Sequence, residues 1–283
     1  MPDGLRRVVI DGAARLAVAR GDDLHALDGS LAALLAAGRD SLHASVDRAL
    51  QTEPVVATEV LAPVDEQEVW ASGVTYRRSV TARVEESSVG DVYEMVYEAD
   101  RPELFLKAPA IRVPRPGAPL RIRADSGWDV PEPELALVLD AQAQIVGYLV
   151  ADDVSSRAIE GANPLYLPQA KIYDDSLGLS DTIVLARDAG DVTGAAIEVA
   201  IDRDGKRVFE GATSVSEMKR SFDELVAALF AELSHPVGAV LLTGTGVVPP
   251  DELTLRHGDR VRIAIDGIGT LEHDVYRKDG QAP

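Results

Sequence analysis

The chain has 283 residues with 28 Lys+Arg against 47 Asp+Glu, and its net charge of −19 excludes the basic patch that a nucleic-acid partner requires. It has no cysteine, so disulfides, thiolate metal sites and cysteine nucleophiles are excluded as well. With 46% apolar and 27% charged residues it has the composition of a soluble globular protein, long enough to bury roughly three quarters of its unfolded surface.

In chain order, residues 6–20 carry two apolar stretches around Asp11-Gly12, the signal of a tight hairpin. Residues 23–50 turn Leu/Ala-rich, with breaks at Asp28-Gly29 and Gly38, which predicts two short helices capped by Ser30 and Ser41. The apolar run at 31–37 is far shorter than the ~20 residues of a membrane span, and MPDGLRRVVIDG lacks a secretory core. We therefore expect a cytoplasmic protein with no membrane partner. Residues 1–62 are expected to form a small N-terminal α/β subdomain, too small for an ample core of its own, packed on a catalytic domain of residues 63–283.

Beyond residue 63, strands are predicted at 119–123, 134–140, 144–152, 182–186, 196–202, 207–209, 240–243 and, last, 260–266, with Asp204-Gly205 as one of the turns. One long helix is predicted over 222–233, where Ser221 and Glu224 form an S-x-x-E capping box. Many strands with few helices give an α+β, mostly β class and argue against a doubly wound or TIM architecture.

Chemistry concentrates at residues 129–139, which read DVPEPELALVL. Glu132 and Glu134 stand two apart at the head of an apolar strand, so both carboxylates share one face, where like charges repel. A second acidic pair, Asp152-Asp153, ends the next predicted strand, and a turn over 141–144 folds it back beside the first. Converging carboxylates suit a hard oxygen-ligand site for Mg²⁺ or Mn²⁺; the alternative is a strand end with solvated acids.

Residues 70–276 resemble the fumarylacetoacetate hydrolase family in seven segments that come in the family's order. They are SGVTY at 72–76, PELFLK at 102–107, EPELALVLD at 132–140, VGYLVADDVSSR at 146–157, Lys171 in AKIYDDSLG, LLTGTG at 241–246 and GDRVRIAIDGIGTLEHDV at 258–275. The resemblance implies a mixed β-roll catalytic domain and a divalent cation, Mg²⁺ or Mn²⁺, held by Glu132, Glu134 and Asp153. It also implies a homodimer or homotetramer acting on a small 2-oxo acid.

Hydrolytic members of that family place a histidine three positions after the tyrosine, followed by a glutamate, to activate water. Here Ser79 stands at that position, and the histidines are His25, His43, His235, His257 and His273, so that route lacks its base. The segments GVTYRRSVTAR and VYEADRPELFLK are similar instead to the branch that dehydrates 2-keto-3-deoxy-pentonates, arabinonate or xylonate. That similarity implies formation of 2,5-dioxopentanoate: the 2-oxo acid chelates Mg²⁺, the C3 proton leaves to give an enolate, the C4 hydroxyl departs, and the product tautomerises.

Lys171 and Glu103 are the candidate acid–base residues, with Ser79 as a third catalytic candidate, and Arg83, Thr245 and Tyr76 are candidates for holding the substrate. Each main candidate has a plainer alternative: a solvated Lys171, a strand-starting Glu103, an Arg83–Glu86 surface pair, a turn hydroxyl for Thr245. Ser79 and Arg83 would share a face if their segment is helical, and residues 79–93 have the length and polarity of a lid. The competing readings are a hydrolase, decarboxylase or isomerase on another 2-oxo acid, and a non-catalytic protein that binds a keto acid.

Overall fold

The computed structural model describes residues 3–86 and 91–278. It opens with β1 (Gly4–Ile10) and β2 (Ala13–Arg20), joined by Asp11 and Gly12 with φ of 51° and 76°, the paired positive values of a type I′ hairpin turn. β3 (Asp23–Leu27) follows and pairs with β2 from Leu16↔Leu27 to Arg20↔Asp23. This corrects the helical expectation for that stretch: His25 and Leu27 are buried while Leu24 and Ala26, on the other face, are only partly so, which is the strand period.

α1 (Leu31–Ala37) starts at Ser30, whose hydroxyl accepts the Ala33 N–H. α2 (Arg39–Ala49) does not start at Ser41, which lies inside its first turn; Asp140, 101 residues away, accepts the Arg39 N–H at 2.8 Å instead. β4 (Glu59–Val60) completes a sheet in the order β3-β2-β1-β4.

The chain continues through β5 (Glu68–Gly73), α3 (Arg77–Glu86), α4 (Asp91–Glu98), β6 (Glu103–Ala108), β7 (Leu120–Ile122), β8 (Asp129–Val130), β9 (Pro133–Leu139), β10 (Ile145–Asp153) and β11 (Ser155–Ser156). It then forms α5 (Arg157–Ala162), α6 (Leu167–Lys171), β12 (Leu177–Leu179), β13 (Val184–Leu185), β14 (Ala196–Arg203), β15 (Lys206–Ser214), α7 (Phe222–Leu229), β16 (Ala239–Leu242), β17 (Arg260–Ile265) and β18 (Gly269–Arg277). β5 and β18 were not anticipated, whereas β6 begins at Glu103, the strand start given as the plainer alternative for that residue. α7 has the expected capping box but stops at Leu229, leaving Leu233 44% exposed rather than on its apolar face.

The central sheet runs β12-β10-β9-β16-β5-β6, antiparallel except where β16 lies beside β5. A second sheet, β15-β14-β17-β18-β7, packs on one of its faces and the N-terminal unit on the other. β9, buried throughout, serves both: Leu135, Leu137 and Leu139 enter the core against the second sheet, while Ala136 and Val138 meet Leu16, Leu35, Leu42 and Val46 of the N-terminal unit. Each such leucine contributes about 1.5–3 kcal/mol by burial. Mostly β with short helices, the architecture matches the predicted class. Among the described residues no helix is long and apolar enough to cross a membrane.

Candidate active site

The site forms at the open end of the β9–β10 pair. Ala151 stands opposite Glu134 and Asp152 opposite Pro133, and the Asp153 N–H donates to the Glu132 carbonyl at 3.0 Å. Because side chains alternate along a strand, this register sends Glu132, Glu134 and Asp153 to one face and Asp152 to the other. The three carboxylates are each at most 3% exposed, and their oxygens lie within 4.8 Å of one another.

Three buried cations reach this cluster. Lys171, the last residue of α6, places Nζ 2.7 Å from Glu132 Oε2 and 3.0 Å from Asp153 Oδ2. Lys107 places Nζ 2.5 Å from Asp153 Oδ1 and donates to the carbonyls of Val154 at 3.1 Å and Lys171 at 2.6 Å. Arg157, first residue of α5 behind the Ser156 cap, places Nη2 3.1 Å from Glu132 Oε1.

These neighbours divide the acids electrostatically. Burial pushes the Glu134 carboxyl well above the usual range, and the charges of Asp153 and Glu132 push it further. Asp153 feels the same burial, yet the ammonium groups of Lys107 and Lys171 outweigh it and hold its carboxyl below the usual value. The Gly244 N–H donates to Glu134 Oε2 at 2.6 Å, and among the described residues no ion pair reaches Glu134.

Around the cavity the carboxylates of Glu103, Glu132, Glu134, Asp153 and Glu160 gather with Lys107, Lys171 and Arg157. Three buried hard oxygen donors within 4.8 Å of one another, beside a free space of about 20 Å³, fit a divalent cation such as Mg²⁺.

The opposite wall is the turn from β5 into α3. Val74 has a φ of 57°, a left-handed backbone that is costly for a β-branched residue, and Thr75 pins the turn by donating from Oγ1 to the Thr243 carbonyl at 2.7 Å. A Cβ on Gly73 would lie 2.0 Å from Glu103 Oε2, so glycine is what lets the Glu103 carboxylate reach across into the pocket. Ser79 and Thr245 line the same cavity. Ser79 Oγ donates to the Tyr76 carbonyl at 2.7 Å, and Thr245 Oγ1 lies 3.4 Å from the Val247 carbonyl. Tyr76 sits behind the wall, 1% exposed; burial raises its hydroxyl pKa, and Glu134 and Glu217 add to the rise, so it keeps its proton.

α3 puts Arg83 one turn beyond Ser79, but its side chain lies outside the described residues, as do those of Glu85 and Glu86 and residues 87–90 of the expected lid. Lys107, Arg157 and Glu160 were not singled out from sequence. Lys107 and Arg157 stand in the segments PELFLK and VGYLVADDVSSR; for Lys107 a charged residue among apolar strand neighbours was the available signal, while Arg157, following two serines at a helix start, offered none. β6 brings Glu103 to the pocket, sets the Phe105 ring 5.8 Å from Lys171 Nζ, and delivers Lys107 beside a break in its register with β5.

The sequence pattern described as fumarylacetoacetate (FAA) hydrolase C-terminal matches residues 68–276. A probable 2-keto-3-deoxyxylonate dehydratase of Haloferax volcanii is 51% identical over 213 residues, 75% of this chain and 73% of that protein. The 2-dehydro-3-deoxy-D-arabinonate dehydratase of Saccharolobus solfataricus is 40% identical over 224 residues, 77% of this chain and 75% of that protein. A solved 2-keto-3-deoxy-D-arabinonate dehydratase, complexed with magnesium and 2,5-dioxopentanoate, superposes with a TM-score of 0.84 at 32% identity, over 97% of this chain and 99% of the other.

Proposed function

Because the chain belongs to the fumarylacetoacetate hydrolase family, we propose that it is a Mg²⁺-dependent hydro-lyase converting a 2-keto-3-deoxy-pentonate to 2,5-dioxopentanoate. The observation that carries the reading is a complete buried carboxylate cradle, with Lys171 against it, in a chain related over three quarters of its length to dehydratases of that kind.

Held by Glu132, Glu134 and Asp153, Mg²⁺ supplies the positive charge that offsets negative charge growing on the substrate's keto oxygen. Lys171 or Glu103 takes the C3 proton, and the other delivers a proton to the C4 hydroxyl as it leaves. Between them they break the C3–H and C4–O bonds with loss of one water; the resulting C3=C4 bond shifts to C4=C5, which is the enol of the C5 aldehyde. Arg83 and Thr245 hold the substrate, while Tyr76, expected from the sequence to do so as well, is buried behind the wall that carries Ser79 and supports it from there. Ser79 offers no base for water, so carbon–carbon bonds stay intact. In this reading residues 1–62 scaffold a catalytic unit of residues 63–283, and the enzyme works in the cytoplasm as a homodimer or homotetramer.

The test is incubation of the purified protein and Mg²⁺ with 2-keto-3-deoxy-pentonates of both C4 configurations. The expected result is 2,5-dioxopentanoate from at least one of them, with acylpyruvates such as fumarylpyruvate left uncleaved. Hydrolysis of fumarylpyruvate at about 10 s⁻¹ with no dehydration would overturn it.

A further inference from the structure

β18 alternates along its length, and its inward row is Leu271, His273, Val275 and Arg277. A histidine 2% exposed among apolar neighbours needs a polar partner, and His273 has one: its Nε2 lies 2.8 Å from Asp152 Oδ2, while Nδ1 lies 3.1 Å from the Asp274 carbonyl. Asp152 is itself fully buried, and its other oxygen, Oδ1, accepts the Glu132 N–H at 2.9 Å. Asp152 stands opposite Pro133 in a pair that exchanges no ladder hydrogen bond, because the bonded pair is the next one, where the Asp153 N–H reaches the Glu132 carbonyl; the Glu132 N–H is taken by the Asp152 side chain.

We propose that His273 is a positioning residue for the metal cradle: it fixes Asp152, and Asp152 fixes the backbone from which the Glu132 carboxylate projects. The inference rests on the proposed function only in taking Glu132 as a metal ligand. His273 touches none of the three cradle carboxylates. It acts from the opposite face of the sheet, through one carboxylate and one amide.

The brace is tested by Mg²⁺ binding, measured by titration calorimetry on protein freed of metal with EDTA and then dialysed. His273→Gln keeps a donor near the Nε2 position, His273→Asn places one nearer Nδ1, and His273→Leu has none. The brace requires Mg²⁺ affinity in the order wild type, Gln, Asn, Leu, with Gln within about 3-fold of wild type and Leu weaker by about 10- to 100-fold. Should the Leu variant not fold, the Gln and Asn variants carry the comparison. Equal Mg²⁺ affinity across the folded variants, whatever their melting temperatures, would overturn the brace and leave His273 a packing residue. Loss of Mg²⁺ affinity as severe in Gln as in Asn would overturn it too. Because the readout is metal binding, a protein that shows this order yet fails to dehydrate any pentonate would sink the proposed function alone.

Discussion

The side chain of Lys107 is anchored on the main chain of Lys171: its Nζ donates to the Lys171 carbonyl at 2.6 Å while also meeting Asp153 Oδ1. One lysine thus orients the end of the short helix that carries the other, and the two occupy different oxygens of Asp153. Lys107 is 1% exposed, and its burial lowers its pKa against the opposing pull of Asp153. Replacing it with Met leaves Asp153 without its Oδ1 partner. We expect Lys107→Met to lose about 3–5 kcal/mol in denaturant unfolding with EDTA present. A loss under ~1 kcal/mol would mean that this ion pair does not hold the site together.

Glu134 gives the site a pH dependence whose sign can be worked out. Its carboxyl is raised far above the ordinary 4.5 by burial first and by Asp153 and Glu132 next. In metal-free protein the folded state therefore keeps a proton that the unfolded state has released. That contribution to stability is complete below about pH 4.5 and is lost as pH rises through the raised value. Mg²⁺ must expel the same proton, so its affinity climbs across that window, with up to one proton released per ion. Calorimetry in two buffers of different ionisation enthalpy counts the proton. Binding independent of pH across the window would contradict the assignment, and Glu134→Gln should weaken Mg²⁺ at least 10-fold at neutral pH.

The two acid–base candidates separate by isotope exchange. Lys171→Ala and Glu103→Gln should each lower kcat by two or more orders of magnitude. The variant that has lost the base also stops exchanging the C3 proton with deuterated solvent, whereas the one that has lost only the acid still exchanges it without eliminating water. Near-normal turnover in both would remove the two residues from the mechanism.

Gly73 offers a test of Glu103 that leaves Glu103 in place. A methyl group at residue 73 would fall 2.0 Å from Glu103 Oε2, the far end of a flexible side chain that can swing away. Gly73→Ala should then resemble Glu103→Gln in kcat, with Mg²⁺ affinity within about 3-fold of wild type and stability within ~1 kcal/mol. An unchanged kcat would show that Glu103 works equally well from a displaced position, or does not work at all.

How much of this was legible in the sequence follows from where each signal lay. Glu132 and Glu134 were readable because a strand's period of two is local, and the Asp11-Gly12 hairpin because its turn chemistry is local as well. Alternation alone leaves Asp152 and Asp153 equivalent until the register with β9 is known; the resemblance names Asp153, and that register puts Asp153 beside Glu132 and Glu134 with Asp152 on the other face. Ser41 misled because the donor at the start of α2 is satisfied by Asp140, a contact that no local window contains. Lys107, Arg157 and His273 stayed hidden for that reason too: each acts on a residue 25 to 121 positions away. β18 escaped because its inward row mixes Leu271 and Val275 with His273 and Arg277, which blurs the apolar alternation.

The N-terminal unit meets the central sheet through Leu16, Leu35, Leu42 and Val46 laid over Ala136, Val138 and their neighbours, and through directed contacts that include the Leu5–Ile183 backbone pair, Arg6 Nε to Thr182 Oγ1 at 2.7 Å and the Arg39 N–H to Asp140. Among the described residues none of its side chains lines the catalytic cavity. Exchanges in those first sixty residues that keep volume and hydrophobicity at the packed positions are thus expected to cost little, so long as the directed contacts remain. The catalytic unit has no such latitude, since a carboxylate moved to the wrong face of a strand is lost to the site. Tolerance to substitution is therefore expected to differ within one chain, wider in the cover and narrower in the machinery beneath it.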